Sequence, residues 1–252
     1  MGMCKSSLKG YMNLESLPEL QPLRISKSSF PSQLQELYLE GYMNLESLPE
    51  LPSTLTRLEV KDCISLQIIS DLSHLEWLKE LLLIGCKSLV RLPDLSNFKK
   101  LRKFWINNCE KLEEIPGLEG TNSLEELKVK GCHKITKLSD LSTLKKLRSV
   151  DINCENLEEI HCIERTESLE ELSIDDCPKL TELHMSNLKR LRSLYIINCV
   201  NVVKIHGFEG AESLEEFTAR GCYKLTESQR KIYGQVRTYL LLSILINFSH
   251  LL

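Results

Sequence analysis

The sequence lacks the short motifs that usually mark the active site of an enzyme. It contains no phosphate-binding motif G-x-x-x-x-G-K-S/T, no nucleophile elbow G-x-S-x-G and no zinc-protease motif H-E-x-x-H. The histidines lie mostly in predicted turns, where chance would place them: His74, His133, His161, His184, His206 and His250. The sequence therefore predicts no catalytic residue, no cofactor and no enzymatic activity.

A surplus of positive charge and a membrane-length apolar segment are also missing. The chain has 32 Lys and Arg against 35 Asp and Glu, a formal net charge of −3, so the basic surface of a nucleic-acid-binding protein is not expected. The residues after Met1 lack the apolar core of a secretory signal. The apolar run from Tyr239 to Leu252 is shorter than the roughly 20 residues of a membrane-spanning helix. We predict a cytoplasmic location, with the nucleus as an alternative, and no nucleic-acid partner.

The sequence does contain one pattern of regularly spaced leucines, here called the leucine frame, which recurs many times along the chain. Its clearest copy runs from Leu124 to Cys132 and reads L-x-x-L-x-L-x-x-C. Exact or approximate copies begin at Leu34, Leu55, Leu78, Leu101, Leu147, Leu169, Leu191 and Leu214. Consecutive copies lie 21 to 23 residues apart. A period in the low twenties with this frame is the pattern of a leucine-rich repeat.

The frame also predicts the local structure of each repeat. Its last two leucines alternate with polar residues, which is typical of a half-buried β-strand. The returns between strands are about a dozen residues long and some contain proline, so 3₁₀ turns or extended stretches are expected there and long helices are not. We predict an α/β repeat solenoid, a leucine-rich-repeat horseshoe of nine parallel strands. Its concave side is a parallel β-sheet, and its convex side is short 3₁₀ or irregular structure.

The copies divide the chain into three parts. Residues 1–33 are predicted to be a partial N-terminal repeat and a loop, because Gly10 to Leu20 recurs letter for letter as Gly41 to Leu51. Residues 34–226 carry the regular repeats of 21–23 residues. Residues 227–252 are predicted to be a cap helix or an apolar tail, with membrane association as a third alternative. Since the chain opens inside a repeat, we expect it to begin within a larger protein.

Most of the ten cysteines occupy a single slot of the repeat. These are Cys63, Cys86, Cys109, Cys132, Cys154, Cys177, Cys199 and Cys222, and only Cys4 and Cys162 fall outside the slot. Such regularity favours a ladder of small, buried, free thiols over a disulfide framework, and therefore a reducing compartment. Because no C-x-x-C pair occurs, no metal site is predicted.

Charged residues follow the repeat as well. The two positions after the first strand leucine hold Arg102/Lys103, Glu125/Glu126, Arg148/Ser149, Glu170/Glu171, Arg192/Ser193 and Glu215/Glu216. Adjacent parallel strands would align these positions in a row of alternating sign, which favours the correct register of neighbouring repeats. We interpret the glutamate pairs as members of this ladder and not as acid/base carboxylates.

Apolar side chains at positions that should face solvent on the concave sheet are the candidates for binding. Together with one lysine they are Tyr38, Leu82, Ile84, Trp105, Lys128, Tyr195 and Ile197. Exposed aromatic residues near the centre of a concave surface are typical of protein-binding hot spots. The alternative is that they are the isolated exposed apolar residues found on every protein.

The full repeat resembles a known family. The pattern L-x-x-L-x-L-x-x-C-x-x-L-x-x-L-P, seen from Leu78 to Pro93 and from Leu101 to Pro116, resembles the leucine-rich-repeat region of plant intracellular nucleotide-binding (NB-LRR) disease resistance proteins. The join Leu51-Pro-Ser-Thr-Leu55 is similar to the subclass that carries a TIR domain. The resemblance covers nearly all of residues 8–226.

The resemblance implies a sensor that recognises a pathogen effector or a guarded host protein and restrains the neighbouring nucleotide-binding module. This sequence contains neither that module nor a TIR domain, so their activities are not carried over. The alternative is a free-standing scaffold, adaptor or decoy derived from a truncated paralogue. Secreted plant receptors and ubiquitin-ligase adaptors are disfavoured, since their L-x-G-x-I-P motif and F-box are missing.

Overall fold

The computed structural model describes residues 33–48, 50–69, 71–207 and 213–225. The predicted partial repeat at the N-terminus and the predicted cap or tail from residue 227 onward lie outside these ranges. Within them the strands are β1 Glu36–Glu40, β2 Arg57–Lys61, β3 Glu80–Ile84, β4 Lys103–Asn107, β5 Glu126–Lys130, β6 Lys137–Leu138, β7 Ser149–Asn153, β8 Glu159–Ile160, β9 Glu171–Asp175, β10 Glu182–His184, β11 Ser193–Ile197, β12 Lys204–His206 and β13 Glu216–Arg220.

Nine of these strands form one sheet in the order β1-β2-β3-β4-β5-β7-β9-β11-β13. Every neighbouring pair is parallel, and the repeat frame sets the register, so that Leu58 lies beside Leu81 and Leu81 beside Phe104. The predicted parallel sheet of a leucine-rich-repeat solenoid is confirmed. It follows because each repeat returns the chain to the same starting point, which brings equivalent residues of successive repeats side by side.

The returns are short, as predicted. Among the described residues they contain 3₁₀ turns at Leu95–Asn97, Leu118–Gly120 and Ile163–Arg165, and no α-helix. They also contain two small parallel sheets that the sequence did not predict, one pairing β6 with β8 and the other pairing β10 with β12. The second column of strand pairing arises because the second leucine of C-x-x-L-x-x-L is buried while its neighbours face outward, the same alternation that makes a strand.

The core is one continuous apolar cluster that runs along the inside of the coil. The frame leucines supply most of it, and in the interior repeats their exposed fraction is 0%. All eight slot cysteines are buried and free, and Cys162 is partly exposed. Six of these thiols point at a backbone carbonyl in the strand of the previous repeat, for example Cys86 Sγ at 3.7 Å from Val60 O and Cys222 Sγ at 3.4 Å from Ile196 O. The slot therefore takes a small side chain with a weak hydrogen-bond donor.

A left-handed residue follows most strands and turns the chain into the cysteine slot. The residues with positive φ at this place are Gly41, Asp62, Gly85, Asn108, Gly131, Asp176, Asn198 and Gly221. Between Gly41 and Gly131 glycine alternates with Asp or Asn. The repeat that contains Asn153 and Cys154 has one residue fewer before its cysteine and no left-handed residue there, which explains its shorter spacing.

Candidate functional site

The concave face of the nine-stranded sheet carries the predicted binding residues. In every strand of the large sheet except β13 the second and fourth positions are buried in the core, as in β4 and β5, so the first, third and fifth positions lie on the concave side. The third positions form a continuous row across the sheet, in which Leu82 neighbours Trp105 and Trp105 neighbours Lys128. The repeat period thus places residues that are 23 apart in sequence side by side.

The structure groups the predicted residues unevenly. Leu82 and Ile84 on β3, Trp105 on β4 and Lys128 on β5 form one cluster, which we call the tryptophan cluster. Two further strands, β7 and β9, separate this cluster from β11, which carries the other predicted residues Tyr195 and Ile197. Tyr38 lies apart on the edge strand β1.

The expectation that Leu82 faces solvent is wrong, because its exposed fraction is 3%. Its side chain is on the concave side and is not part of the central core cluster, but it lies in the row between Glu59 and Trp105. Both neighbours in the row carry longer side chains than leucine. The other predicted residues, including Ile84, Tyr195 and Ile197, are half-buried.

Lysine side chains pack over the ring of Trp105 from its own strand and from the next. Lys103 Nζ lies 4.7 Å and Lys128 Nζ 4.2 Å from the ring centroid, both within the range of a cation–π interaction. The carboxylate of Glu126 forms ion pairs with both lysines, at 3.4 Å from Lys103 Nζ and 3.1 Å from Lys128 Nζ. The indole Nε1 is shielded from water and has no hydrogen-bond partner among the described residues. The ring of Trp105 is therefore covered by two lysine ammonium groups, which Glu126 keeps in place.

The predicted charge row is aligned across the sheet, but ion pairs join only part of it. Arg102 donates two hydrogen bonds of 2.9 Å to the carboxylate of Glu125, and these bonds lower the pKa of Glu125 below its usual value. Lys103 pairs with Glu126, and Arg57 on β2 pairs with Glu80 on β3 at 2.5 Å. In the part of the chain that the structure describes, no side-chain ion pair within 4 Å joins the later members, Arg148, Glu170, Arg192 and Glu215.

An acidic strip separates the tryptophan cluster from β11. Asp151 on β7 pairs with Lys130 at 2.7 Å, and Asp175 on β9 stands beside Asp176. Burial, and then the neighbouring charge of Asp176, raises the pKa of Asp175. On β11 the hydroxyl of Tyr195 donates a hydrogen bond to Glu216, which raises the pKa of Tyr195. The concave face thus presents an aromatic and basic area, an acidic strip, and a second aromatic area in that order.

A second cluster, outside the concave face, was missed by the sequence analysis. Glu182, His184 and His206 meet on the small sheet of β10 and β12. The signal was present in the sequence, because His161, His184 and His206 occupy the same slot of three successive repeats, directly after the second leucine of the return. Their convergence depends on the pairing of β10 with β12, which the sequence did not predict.

The described residues include no helix of the length and apolar character that crossing a membrane requires.

Comparison with known proteins gives one family and several structures. The family described as plant disease resistance protein RPS2-like, leucine-rich repeats, matches residues 74–228.

The leucine-rich repeat domain of the type III effector XopL is similar with a TM-score of 0.68 and 22% identity, over 76% of this chain and 70% of that one. The functional domain of InlJ from Listeria monocytogenes, which includes a cysteine ladder, is similar with a TM-score of 0.62 and 24% identity, over 78% of this chain. This chain spans only 41% of the InlJ domain. At these identities the two structures share a fold with this chain and nothing more is concluded from them. No curated protein matches the sequence.

Proposed function

Because the chain belongs to the family of plant disease resistance protein RPS2-like leucine-rich repeats, which matches more than half of its length, we propose that it is the protein-binding sensor module of a plant immune receptor. In this role its concave face recognises a pathogen effector or a guarded host protein. The same module restrains a nucleotide-binding module, of the same receptor or a related one, that this sequence does not contain. The surroundings are the reducing cytoplasm, which suits a chain whose described cysteines are all free.

The tryptophan cluster is the observation that carries the proposal. The leucine-rich frame requires apolar residues only at the buried positions, and nothing in it requires Trp105, Leu82 and Ile84 on the concave side. Binding hot spots are enriched in tryptophan, and they cluster near the centre of an interface where surrounding contacts exclude water. A buried N–H group without a hydrogen bond costs free energy. A partner that displaces Lys103 or Lys128 and offers an acceptor to Trp105 Nε1 therefore gains affinity at that point.

The charge pattern favours a protein over other classes of partner. Lys103, Lys128 and Lys130 stand on β4 and β5, and Asp151 and Asp175 stand on the next two strands of the sheet. Nucleic acid would be repelled by the acidic strip, and a small molecule would find an open row of side chains instead of an enclosed site. A protein surface with opposite charges in the opposite order would pair with both areas at once.

Replacing Trp105 by Asp tests the proposal, and Trp77 provides a matched control. Trp77 is 54% exposed, lies in the turn before β3 and packs against Lys100 Nζ at 3.0 Å from its ring centroid. It is thus a second tryptophan under a lysine, but off the concave sheet. We expect Trp105→Asp to abolish binding to an effector or host protein that the wild-type chain retains in a pull-down, and Trp77→Asp to leave that binding intact.

Circular dichroism and thermal melting establish that both variants fold. A folded Trp105→Asp variant that keeps every partner of the wild-type chain would remove the concave face from the proposal. Effector-dependent cell death in leaf tissue, measured with the chain joined to the receptor's nucleotide-binding module, is the functional readout. Loss of this response in Trp105→Asp but not in Trp77→Asp is the expected result.

A free-standing scaffold, adaptor or decoy is the second proposed function, and it rests on the same concave face. It differs from the sensor in having no nucleotide-binding module to restrain. Sequencing the transcript upstream of Met1 separates the two. An in-frame phosphate-binding motif G-x-x-x-x-G-K-S/T and a TIR region would support the sensor, whereas a stop codon before Met1 would support the scaffold.

A further inference from the structure

Glu182, His184 and His206 form the one cluster among the described residues in which three potential metal ligands converge. Their ligand atoms all lie within 4.8 Å of one another. Strand pairing brings this about, because β10 and β12 are parallel and His184 is the register partner of His206. Glu182 and His184 are two residues apart on β10, so both face outward while Leu183 between them is buried. Two successive repeats thus contribute to one outward-facing site.

The two imidazole rings stack against each other, so one of them must turn before both can bind one ion, because a metal lies in the plane of each imidazole that binds it. Their centroids are 4.4 Å apart and their planes differ by 3°. His206 Nε2 lies 2.9 Å and His184 Nε2 4.0 Å from the same atom, Glu182 Oε2. Both rings therefore turn the same nitrogen toward one carboxylate oxygen.

The geometry points to a binding site for a divalent transition-metal ion, with Zn²⁺ as the ion that two imidazoles and a carboxylate suit best. Zinc binds imidazole nitrogen at about 2.0–2.1 Å and carboxylate oxygen at about 2.0–2.2 Å, so tetrahedral ligands are separated by about 3.3 Å. The separation of 2.9 Å between His206 Nε2 and Glu182 Oε2 is already close to this value. His184, whose side chain is 57% exposed, has room to move the remaining distance. The ion replaces the proton that otherwise bridges His206 and Glu182.

Other exposed histidines on the chain show what an ordinary surface pair looks like. His133 contacts Glu155 at 3.1 Å, and His161 contacts Glu159 at 3.0 Å, each with no third ligand nearby in the described part of the chain. His161 stands in the same repeat slot as His184, and Glu159-Ile-His161 repeats the pattern of Glu182-Leu-His184. What distinguishes the cluster is the second histidine, which β12 supplies.

Bound zinc would join two successive repeats and keep a coordination position open. Three protein ligands are one fewer than the four of a closed structural site, and water or a partner's side chain fills the remaining position. An ion that binds the folded chain and not the unfolded one, present at free concentration c, raises the free energy of unfolding by RT ln(1 + c/Kd), so stability rises with the logarithm of the ion concentration. Binding is therefore measurable both directly and as a shift of the melting temperature.

The test uses the full chain, freed of metal with a chelator and then titrated with ZnCl₂ in a calorimeter. We expect one equivalent to bind, together with a rise in melting temperature. Loss of an outer-shell partner of a metal ligand typically weakens binding 10–100-fold, so loss of a direct ligand costs at least about tenfold. His184→Ala and His206→Ala should each show this loss, whereas the matched variant His161→Ala should bind zinc like the wild type.

Glu182→Gln is the conservative variant, because its amide keeps a polar contact with His206 but gives up the charged oxygen ligand. It should melt at the wild-type temperature without zinc and show a smaller rise when zinc is added. Binding that is unchanged in the His184, His206 and Glu182 variants would overturn the site, as would an equal loss in His161→Ala. Substitution with Co²⁺ excludes the cysteines as the source of binding. A thiolate–cobalt charge-transfer band in the near ultraviolet would assign the ion to thiols and contradict the proposal.

Discussion

At the scale of single residues, pairing between neighbouring repeats decides how much a charged side chain contributes. Arg102 and Glu125 occupy equivalent slots of successive repeats and join through two hydrogen bonds of 2.9 Å. Glu170 occupies the same slot two repeats after Glu125 but makes no side-chain ion pair within 4 Å in the described structure. The same letter at the same repeat position thus has a different energetic role, and the repeat frame alone does not reveal which role it has.

Charge reversal at these two positions separates the roles. We expect Glu125→Lys to lower the melting temperature at low salt by a few degrees, because an exposed pair contributes about 0.2–1 kcal/mol and the reversed charge repels Arg102. The double change Glu170→Lys and Glu171→Lys should give a smaller decrease. Thermal melting in low and in high salt is the measurement, and both decreases should shrink as salt screens the charges. A larger effect at Glu170 and Glu171 than at Glu125 would contradict this ranking.

The same pair predicts a dependence on pH. The hydrogen bonds from Arg102 lower the pKa of Glu125 in the folded chain. A lowered pKa adds stability above the unfolded pKa of about 4.3, and this stability is lost as the pH falls through the lower, folded value. The difference in melting temperature between the wild type and Glu125→Gln should therefore be constant near neutral pH and vanish in acid.

At the scale of elements, the strands of the large sheet were predictable, whereas the pairing of the short strands in the returns was not. The alternation of L-x-L placed every strand of the large sheet, because a half-buried strand needs one apolar face and the frame provides it. The pairing of β10 with β12 joins two returns in which the alternation of buried and outward residues lasts only three residues, too short a pattern to predict a strand. The burial of Leu82 also escaped prediction, since its place in the alternation predicts an exposed side chain.

The left-handed turns after the strands give an element-scale prediction. Gly131 has φ +59°, and a Cβ built on it would lie 2.2 Å from Asn108 Oδ1. Gly41 has φ +74°, but a Cβ there would meet no atom of the described residues within 4 Å. Alanine in the left-handed region costs on the order of 1 kcal/mol by itself. We expect Gly41→Ala to lower the free energy of unfolding by about that amount, and Gly131→Ala to lower it further because Asn108 must move.

Urea denaturation of the two glycine variants measures this difference. Adding Asn108→Gly to Gly131→Ala removes the contact and should return the effect to the size seen for Gly41→Ala. Equal destabilisation by the two single changes would show that the contact with Asn108 has no energetic weight.

At the scale of the whole molecule, each strand of the large sheet pairs with the strands of the neighbouring repeats. Strand order in the sheet follows chain order, and no strand of the large sheet pairs with a distant one in the described residues. The sequence predicts this architecture well, because one frame repeated at constant spacing has few other ways to bury its leucines. The partner-binding face is less predictable, since its residues occupy positions that the frame leaves free to vary.

The reactivity of the slot cysteines measures the order in which the repeats of the solenoid unfold locally. Burial raises the pKa of the Cys63 thiol to about 12, so it stays protonated and unreactive at neutral pH while its repeat is folded. We expect the partly exposed Cys162 to react first with a thiol reagent, followed by Cys222 beside the edge strand β13. Cys132, which follows the central strand β5, should react late, because among the described strands β13 has one neighbour in the sheet and β5 has two, and repeats with fewer neighbours open more often.

Peptide mapping after timed labelling identifies which thiol has reacted and also separates Cys4. A Cys162→Ser variant removes the fast phase and leaves the others unchanged if the assignment is right. Simultaneous labelling of Cys222 and Cys132 at one common rate would mean that the solenoid opens as a single unit.

The alternation of glycine with Asp or Asn after successive strands bears on how a gene for such a protein can change length. From Gly41 to Gly131 each Asp or Asn side chain fills the space that the next glycine leaves open, as Asp62 does over Gly85 and Asn108 over Gly131. Gaining or losing one repeat in this stretch places two glycines, or two Asp or Asn residues, at equivalent positions of adjacent repeats. Two adjacent polar side chains must then be accommodated in another way, as by the hydrogen bond of 2.9 Å from Asn198 to Asp176. Gaining or losing two repeats leaves each glycine beside an Asp or Asn of the adjacent repeat. In this part of the chain a change of length by two repeats is therefore the one that leaves the packing of each glycine unchanged.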